Sequence, residues 1–381
     1  MYYNIYYAGE IKMKISRIAA LILALCMLLT LAVGCGTSTD AFITFRDTVV
    51  DQNKYIYMMS HFKALYLASY FGFGVDNPAI WEQDMGNGVT IGDYLGAMAL
   101  SNIMSIAMYT QLFDEYGLTV TAEDSATIDA RINNLIATAG SEGALEKELS
   151  KYGSDIATVR SVLTDSVKVS KLQEYLFGEN GTMPISDEDI EAYYKENYQR
   201  CKFIFIHKTQ DYVYDANGEP VFDNDTQKFV TKDMTDEEKA AKKALFEDIK
   251  DRVLNGGEDF EALLAQYTME SGMKKFTDGY YINESTTFVP TEVRLLLSTL
   301  EIGDIKSVET DTGWYLVKHY ELIDGAWKDE AYAAAMFDTL AATVQNLAMS
   351  ELITPFADEV VVNTKAVEQY PITKLTPNFE Y

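Results

Sequence analysis

The chain has 381 residues, room for two or more domains, and 48% of them are apolar, enough to build real cores. Its formal net charge is −27, with the acid spread along the whole length, which argues against nucleic acid and anionic membrane surfaces as partners. The histidines His61, His207 and His319 have no metal-ligand spacing, and no metal or cofactor is expected.

At the N-terminus, Lys14 and Arg17 precede an apolar run from Ile18 to Val33, broken only by Thr30. The run is shorter than the ~20 residues a bilayer span needs, and it has the charge-then-apolar order of a signal peptide. Leu31-Ala32-Val33-Gly34-Cys35 resembles a bacterial lipobox, which implies cleavage before Cys35, a lipid on its thiol and an extracytoplasmic chain held at the membrane by that lipid. Met13 is a more natural start than Met1, so residues 1–12 stay outside the fold reasoning. Cys26 leaves with the signal and Cys35 is capped, so Cys201 has no partner for an internal disulfide.

Ala41–Val50 reads as one strand, and Asp51 to about Phe73 as a helix with Tyr55, Met58, Met59, Phe62, Tyr66 and Tyr70 at i, i+3/i+4 spacing. Such a Met and aromatic stripe fits a core and also an adaptable client-binding face. Thr90 and Asp93 make a helix start. The stretch Tyr94–Phe113 that follows is uncharged, but Ser101, Asn102, Ser105, Thr110 and Gln111 make it a buried helix and not a membrane span. Thr121 to Asp124 starts another helix; shorter ones follow near 142–152 and 155–177. Ser186-Asp187-Glu188-Asp189 caps a helix with Ile190, Tyr193, Tyr194 and Tyr198 on one face.

Cys201-Lys202-Phe203-Ile204-Phe205-Ile206-His207 alternates and reads as a strand, as does Gly313-Trp314-Tyr315-Leu316-Val317-Lys318-His319. An insertion runs from about Thr209 to Met234, where Tyr212-Val213-Tyr214 and Val221-Phe222 flank a hairpin signal at Asp215–Gly218. Asp223-Asn224-Asp225 lacks the spacing of a calcium loop. Thr235 to Glu238 is a capping box, and Asn255-Gly256-Gly257 ends the helix behind it. Lys328 to Thr354 reads as one helix stopped by Pro355. Its stripe of Met336, Phe337, Leu340, Val344 and Leu347 has the N-terminal helices as its natural partner, and Glu359–Val362 can add a short strand to Ala41–Val50.

The order from Arg200 to Leu322 resembles the parvulin domain of peptidyl-prolyl isomerases. The resemblance lies in Lys202-Phe203-Ile204-Phe205, in the block from Gly257-Glu258-Asp259-Phe260 to Tyr267-Thr268, in Phe288-Val289-Pro290, in Leu300 to Ser307 with its Gly303-Asp304-Ile305 turn, and in Gly313-Trp314-Tyr315-Leu316. The segments before it resemble the N-terminal chaperone region of the PrsA and SurA foldases. The fold this implies is α+β: a discontinuous helical chaperone domain (35–198, completed by 323–381) with an inserted parvulin-like antiparallel-sheet domain (199–322), after a signal peptide (1–34).

Both histidines of the parvulin site are absent: Phe203 and Tyr315 stand in their places, and the family's Cys or Asp falls near Glu270. By the resemblance, Glu270 and Tyr315 are the polar members of the site, and Phe203, Phe288, Val293 and Trp314 its apolar, substrate-binding members. Phe203 fits a cleft and a core position equally. His207 and His319 each lie four residues beyond the family positions, and on antiparallel neighbours this sends them to opposite ends, roughly 26 Å apart at ~3.3 Å per residue; both read as rim residues. The function implied is a membrane-anchored foldase acting on unfolded or folding exported polypeptides, with prolyl isomerase activity weak or lost. The alternative is a peptide- or solute-binding lipoprotein without a foldase role. Ser60 to Lys63 and Ser271 to Lys274 match Ser-x-x-Lys by chance, with no Lys-Thr-Gly partner.

Overall fold

The structure, a computed structural model, describes residues 41–70, 76–86, 88–217, 220–224 and 228–379. The signal segment and Cys35 lie outside the described residues. The chain divides into two compact units: one runs to Pro184 and resumes over Gln345–Tyr381, and the other is Ile185–Val344.

The described part of the first unit opens on a hairpin where one strand was expected. β1 (Ala41–Phe45) turns at Arg46-Asp47 into β2 (Thr48–Asp51), with Thr44 paired to Val49. Arg46 has φ 52°, the left-handed region that a non-glycine residue rarely enters. Its guanidinium is held at 4.8 Å from the rings of both Phe45 and Phe356, and it pairs with Glu115 at 2.7 Å and Glu359 at 2.9 Å. β11 (Val361–Val362) pairs antiparallel with the other edge of β1, giving the sheet order β11-β1-β2.

Helices follow: α1 (Gln52–Tyr70), α2 (Pro78–Trp81), α3 (Ile91–Glu115), α4 (Ala122–Ala139), α5 (Glu142–Leu149) and α6 (Ile156–Phe177). α3 is capped by a reciprocal box in which the Asp93 N–H donates to the Thr90 hydroxyl at 3.1 Å. It buries Leu95, Ala99, Ile103, Met104, Ala107 and Leu112 and packs on α1 and α6. Tyr55, Met58 and Met59 of the α1 stripe are buried, and Phe62 and Tyr66 partly so. Among the described residues no helix is long and apolar enough to cross a membrane.

Among the described residues of this unit two lysines are buried, each with the partners a buried ammonium requires. Lys54 of α1 pairs with Asp165 of α6. Lys63 pairs with Asp76 at 2.9 Å, donates to the carbonyls of Thr373 and Leu375 at 3.2 and 2.7 Å, and lies 5.0 Å from the Trp81 ring. The C-terminal segment is thereby tied to α1. Stranding either charge by removing its partner would cost ~3–5 kcal/mol.

The second unit is built on an antiparallel sheet of order β8-β3-β10-β9, from β3 (Gln199–His207), β8 (Tyr280–Ile282), β9 (Ile305–Glu309) and β10 (Gly313–Tyr320). Its helices are α7 (Asp187–Asn197), α8 (Asp236–Leu254), α9 (Phe260–Tyr267), α10 (Ser271–Lys275), α11 (Thr291–Leu297) and α12 (Glu330–Met336). The segment after β3 forms an arm of two small hairpins: β4 (Gln210–Tyr212) pairs with β7 (Thr231–Asp233), and β5 (Phe222–Asp223) with β6 (Lys228–Phe229).

The helix expected over 328–354 is broken. α12 ends at Met336, Phe337 turns away from helical geometry at φ −132°, and α13 (Leu340–Ile353) starts afresh. The Phe337 ring packs at 5.3–5.5 Å on Tyr194, Tyr198 and Tyr281. Met336, Leu340 and Val344 join the same core, while Leu347 is 45% exposed. These residues therefore complete the core of 185–344, where the sequence suggested the N-terminal helices as partner. The compact unit extends past 199–322 at both ends.

Candidate functional site

Alternation along β3 places Cys201, Phe203, Phe205 and His207 on one face. The ladder with β10 pairs Gly313 with His207, Tyr315 with Phe205, Val317 with Phe203 and His319 with Cys201. Directly paired residues of an antiparallel ladder share a face, so Tyr315 joins that row. Trp314 pairs with Ile206 and points the other way, where it stacks on Phe246 of α8 at 6.1 Å. Trp314 is thus not part of the same surface as Phe203; of the two places the sequence allowed it, cleft or core, it takes the core. Val293 of α11 is fully buried and lines nothing open.

The face carries a continuous row of rings. Phe288 packs on Tyr280 at 5.3 Å, Tyr280 on Phe203 at 5.6 Å, Phe203 on Tyr315 at 5.2 Å and Tyr315 on Phe205 at 4.6 Å. Phe205 then meets His207 at 4.7 Å, His207 meets Tyr212 at 4.7 Å, Tyr212 meets Phe229 at 5.2 Å and Phe229 meets Phe222 at 5.2 Å. The middle is buried, with Phe203 2% and Tyr315 5% exposed, and the ends are open, with Phe288 50% and Phe222 43% exposed. Glycine makes two of these approaches possible. A Cβ on Gly313 would sit 2.3 Å from the Phe205 ring, and one on Gly272 would sit 1.6 Å from the Tyr280 hydroxyl.

Glu270 reaches the row by a local device. Thr268 Oγ1 accepts from the Phe205 N–H at 3.2 Å and donates to the Phe203 carbonyl at 3.3 Å, and the Met269 N–H donates to the Phe205 carbonyl at 2.9 Å. The chain thus pairs with the edge of β3 before α10 begins. Glu270 caps α10: its Oε1 accepts from the Gly272 N–H at 3.0 Å and from the Tyr280 hydroxyl at 3.3 Å. Burial, with Glu270 and Glu292 adding repulsion, pushes the Tyr315 phenol up to about 12, so it stays a neutral hydrogen-bond donor at pH 7. Burial raises Tyr280 further in the same direction, with Glu270 adding to it.

His207 is not a rim residue. Its ring lies against Phe205 and Tyr212, its Nε2 is buried with no hydrogen-bond partner among the described residues, and burial lowers its pKa, so the imidazole is neutral at pH 7. The signal was present in the sequence as the i, i+2, i+4 parity of Phe203, Phe205 and His207. His319 stands six ladder positions away, about 20 Å at ~3.3 Å per residue, with its Nδ1 on the Leu300 carbonyl at 2.9 Å. The two do not form a dyad.

Among the described residues no three His, Cys, Asp or Glu are grouped to hold a metal ion. Cys201 is fully buried and its thiol is pushed up to about 12 by that burial, which makes it inert. What the face offers for contact is therefore its open ends, the exposed rings of Phe288 on one side and Phe229 and Phe222 on the other, with the half-buried Glu270 carboxylate between them. That chemistry suits binding of apolar side chains and proline rings.

No family model matches the chain, and no curated protein matches it. Among solved structures it is similar to PrsA from Bacillus subtilis, with 19% identity over 76% of this chain and 90% of that one at a TM-score of 0.21. It is also similar to the foldase protein PrsA from Lactococcus lactis, with 15% identity over 87% of this chain and 99% of that one at a TM-score of 0.22. A SurA-like chaperone of Campylobacter jejuni matches with 16% identity over 70% and 94% at a TM-score of 0.17. With overlap this loose, the architecture rests on the chain's own elements: an α+β fold with a helical unit and an antiparallel-sheet unit.

Proposed function

We propose that the chain is a foldase-type chaperone of exported polypeptides that holds extended segments on the aromatic face of residues 185–344, with prolyl isomerisation weak or lost. The observation that carries this reading is the unbroken row from Phe288 to Phe222, buried in the middle and open at both ends, in a unit whose sequence resembles the parvulin domain. Export and a lipid anchor on Cys35 belong to the proposal through the charge-then-apolar segment and the lipobox-like residues that precede Thr37.

The weak-catalysis part follows from differential binding. An X-Pro bond must cross ~20 kcal/mol, and only interactions stronger in the twisted amide than in either planar form lower that barrier. By the resemblance, two histidines organise that environment. Here Phe203 cannot hydrogen bond, Tyr315 offers one phenol, and Glu270 is occupied by the α10 N-terminus and Tyr280. Binding by shape survives this change better than catalysis does. The antiparallel sheets and the helical, discontinuous first unit also favour this reading over a solute-binding lipoprotein, whose usual build alternates strands and helices around a parallel sheet.

The test is a proline tetrapeptide titrated into the chain from Cys35 onward, with binding and isomerisation measured on the same sample. Saturable micromolar binding is expected, with kcat/KM below ~10⁴ M⁻¹s⁻¹, the low end for ordinary enzymes. Absence of binding would overturn the proposal; a higher kcat/KM would overturn its weak-catalysis part.

A further inference from the structure

The row does not stop at the sheet. It continues into the arm 209–234, and the arm is built to carry it. The Met234 N–H donates to the Thr209 carbonyl at 3.1 Å at the base. Above that, the Val213 N–H donates to Val230, Val221 to Val213 and Val230 to Val221, each at 2.8 Å. These bonds lock the two hairpins to one another, with Tyr212 against His207 and Phe229 against Tyr212.

An arm of two- and three-residue strands needs no large exposed rings to fold, yet this one shows three: Tyr214, Phe222 and Phe229, the first two 43% exposed and the third 36%. They are contiguous with the sheet row and extend it. Charge defines the occupant further. Glu270 bonds the Tyr280 hydroxyl, two ring contacts from Tyr315, with Glu292 adding to the repulsion that raises the Tyr315 phenol, and neither glutamate makes an ion pair among the described residues. Asp211, by contrast, is neutralised by Lys242 at 2.7 Å. The chain as a whole carries −27. A segment lying along the row therefore meets the half-buried carboxylates of Glu270 and Glu292 beside the buried Tyr315, and aromatic surface at the arm.

We propose that the arm is a second subsite of the peptide-binding face, which takes an aromatic or large apolar side chain of an extended, basic polypeptide segment. This rests on the reading of the face as peptide-binding. Four ring-to-ring steps lead from Tyr315 to Phe229, at most ~20 Å, which an extended chain covers in about six residues at ~3.3 Å each. The occupant is then a segment with Lys or Arg near its proline, held beside Glu270 and Glu292, and Phe, Tyr, Trp or Leu about six residues away. Each well-buried ring contributes contact area that a serine at the same place does not.

The test uses the full chain from Cys35 and three fluorescent twelve-residue peptides. The first has Lys-Pro at one end and Phe six residues on; the second replaces that Phe by Ser; the third replaces the Lys by Glu. Wild type is expected to bind the first about tenfold more tightly than either of the others. The Phe222→Ser/Phe229→Ser double variant is expected to bind the first and second alike. Equal binding of the first two peptides by wild type, or a Phe preference that persists in the double variant, overturns the subsite. Equal binding of the Lys and Glu peptides overturns the choice of a basic segment. Failure of wild type to bind any of the three overturns the peptide-binding reading itself. Should the double variant melt differently from wild type, benzophenone in place of the peptide's Phe decides on the native protein: cross-links within 209–234 support the subsite, and cross-links confined elsewhere overturn it.

Discussion

His207 shows what a single position on this face implies. Folding lowers its pKa from 6.5 because burial disfavours the imidazolium; Lys242 adds to the lowering and Asp211 opposes it. The folded state then binds fewer protons than the unfolded one. The resulting stability is full above pH 6.5 and is lost as pH falls from there through the folded pKa. The second unit should lose stability between pH 7.5 and pH 5.5, well above the range in which its depressed carboxylates Glu238, Glu258 and Glu309 titrate. His207→Phe should flatten that slope, as read by denaturant melts at the two pH values. His61 has a pKa lowered in the same way but lies in the first unit, so the difference between wild type and variant isolates His207. An unchanged slope in the variant would show that His207 stays hydrated. Trp314 and Tyr315 teach a related lesson: adjacent strand residues point to opposite faces, so parity alone would have kept Trp314 out of the cleft.

At the scale of elements, what the sequence made legible was local. The capping boxes at Thr90, Thr121, Ser186 and Thr235 all form, because hydroxyl and carboxylate sit only three residues apart in the first turn and meet without any tertiary contact. The hairpin at Arg46-Asp47 was illegible, since no Gly or Asn marks it and the left-handed Arg46 is held by Glu115 and Glu359 from far along the chain. The break at Phe337 was illegible for the same reason. Helix propensity there is worth only tenths of a kcal/mol, while contact with three tyrosine rings is worth ~0.5–1.5 kcal/mol each. Phe337 and Leu347 belong to one stripe on paper but to different environments in the fold. Phe337→Ala should therefore destabilise the second unit by ~3–5 kcal/mol. Leu347→Ala, at a 45% exposed helix position, should stay within ~0.5 kcal/mol. Equal effects in denaturant melts would contradict the division of the stripe between two environments.

For the whole molecule, the two units divide the work of holding the fold. The first ties its two sequence segments together through β1–β11 pairing and the Lys63 contacts; the second presents the aromatic row. The sequence indicated two of the sheet's four strands, β3 and β10, through alternation, and their antiparallel pairing through the parvulin resemblance, while β8 and β9 went unread; the row's buried centre at Phe203 was already weighed as core or cleft. Its continuation into the arm was beyond reach, because contact between Tyr212 and His207 depends on how the insertion folds back. The central claim is that extended polypeptide lies on this row. Photo-cross-linking tests it most directly, with p-benzoylphenylalanine placed at Phe288, 50% exposed at one end of the row, or at Ile302, 64% exposed in the same unit but outside the row. With an unfolded client present, the account predicts several-fold more cross-linked product from position 288 than from position 302. Equal yields, or a greater yield from the more exposed Ile302, would contradict it.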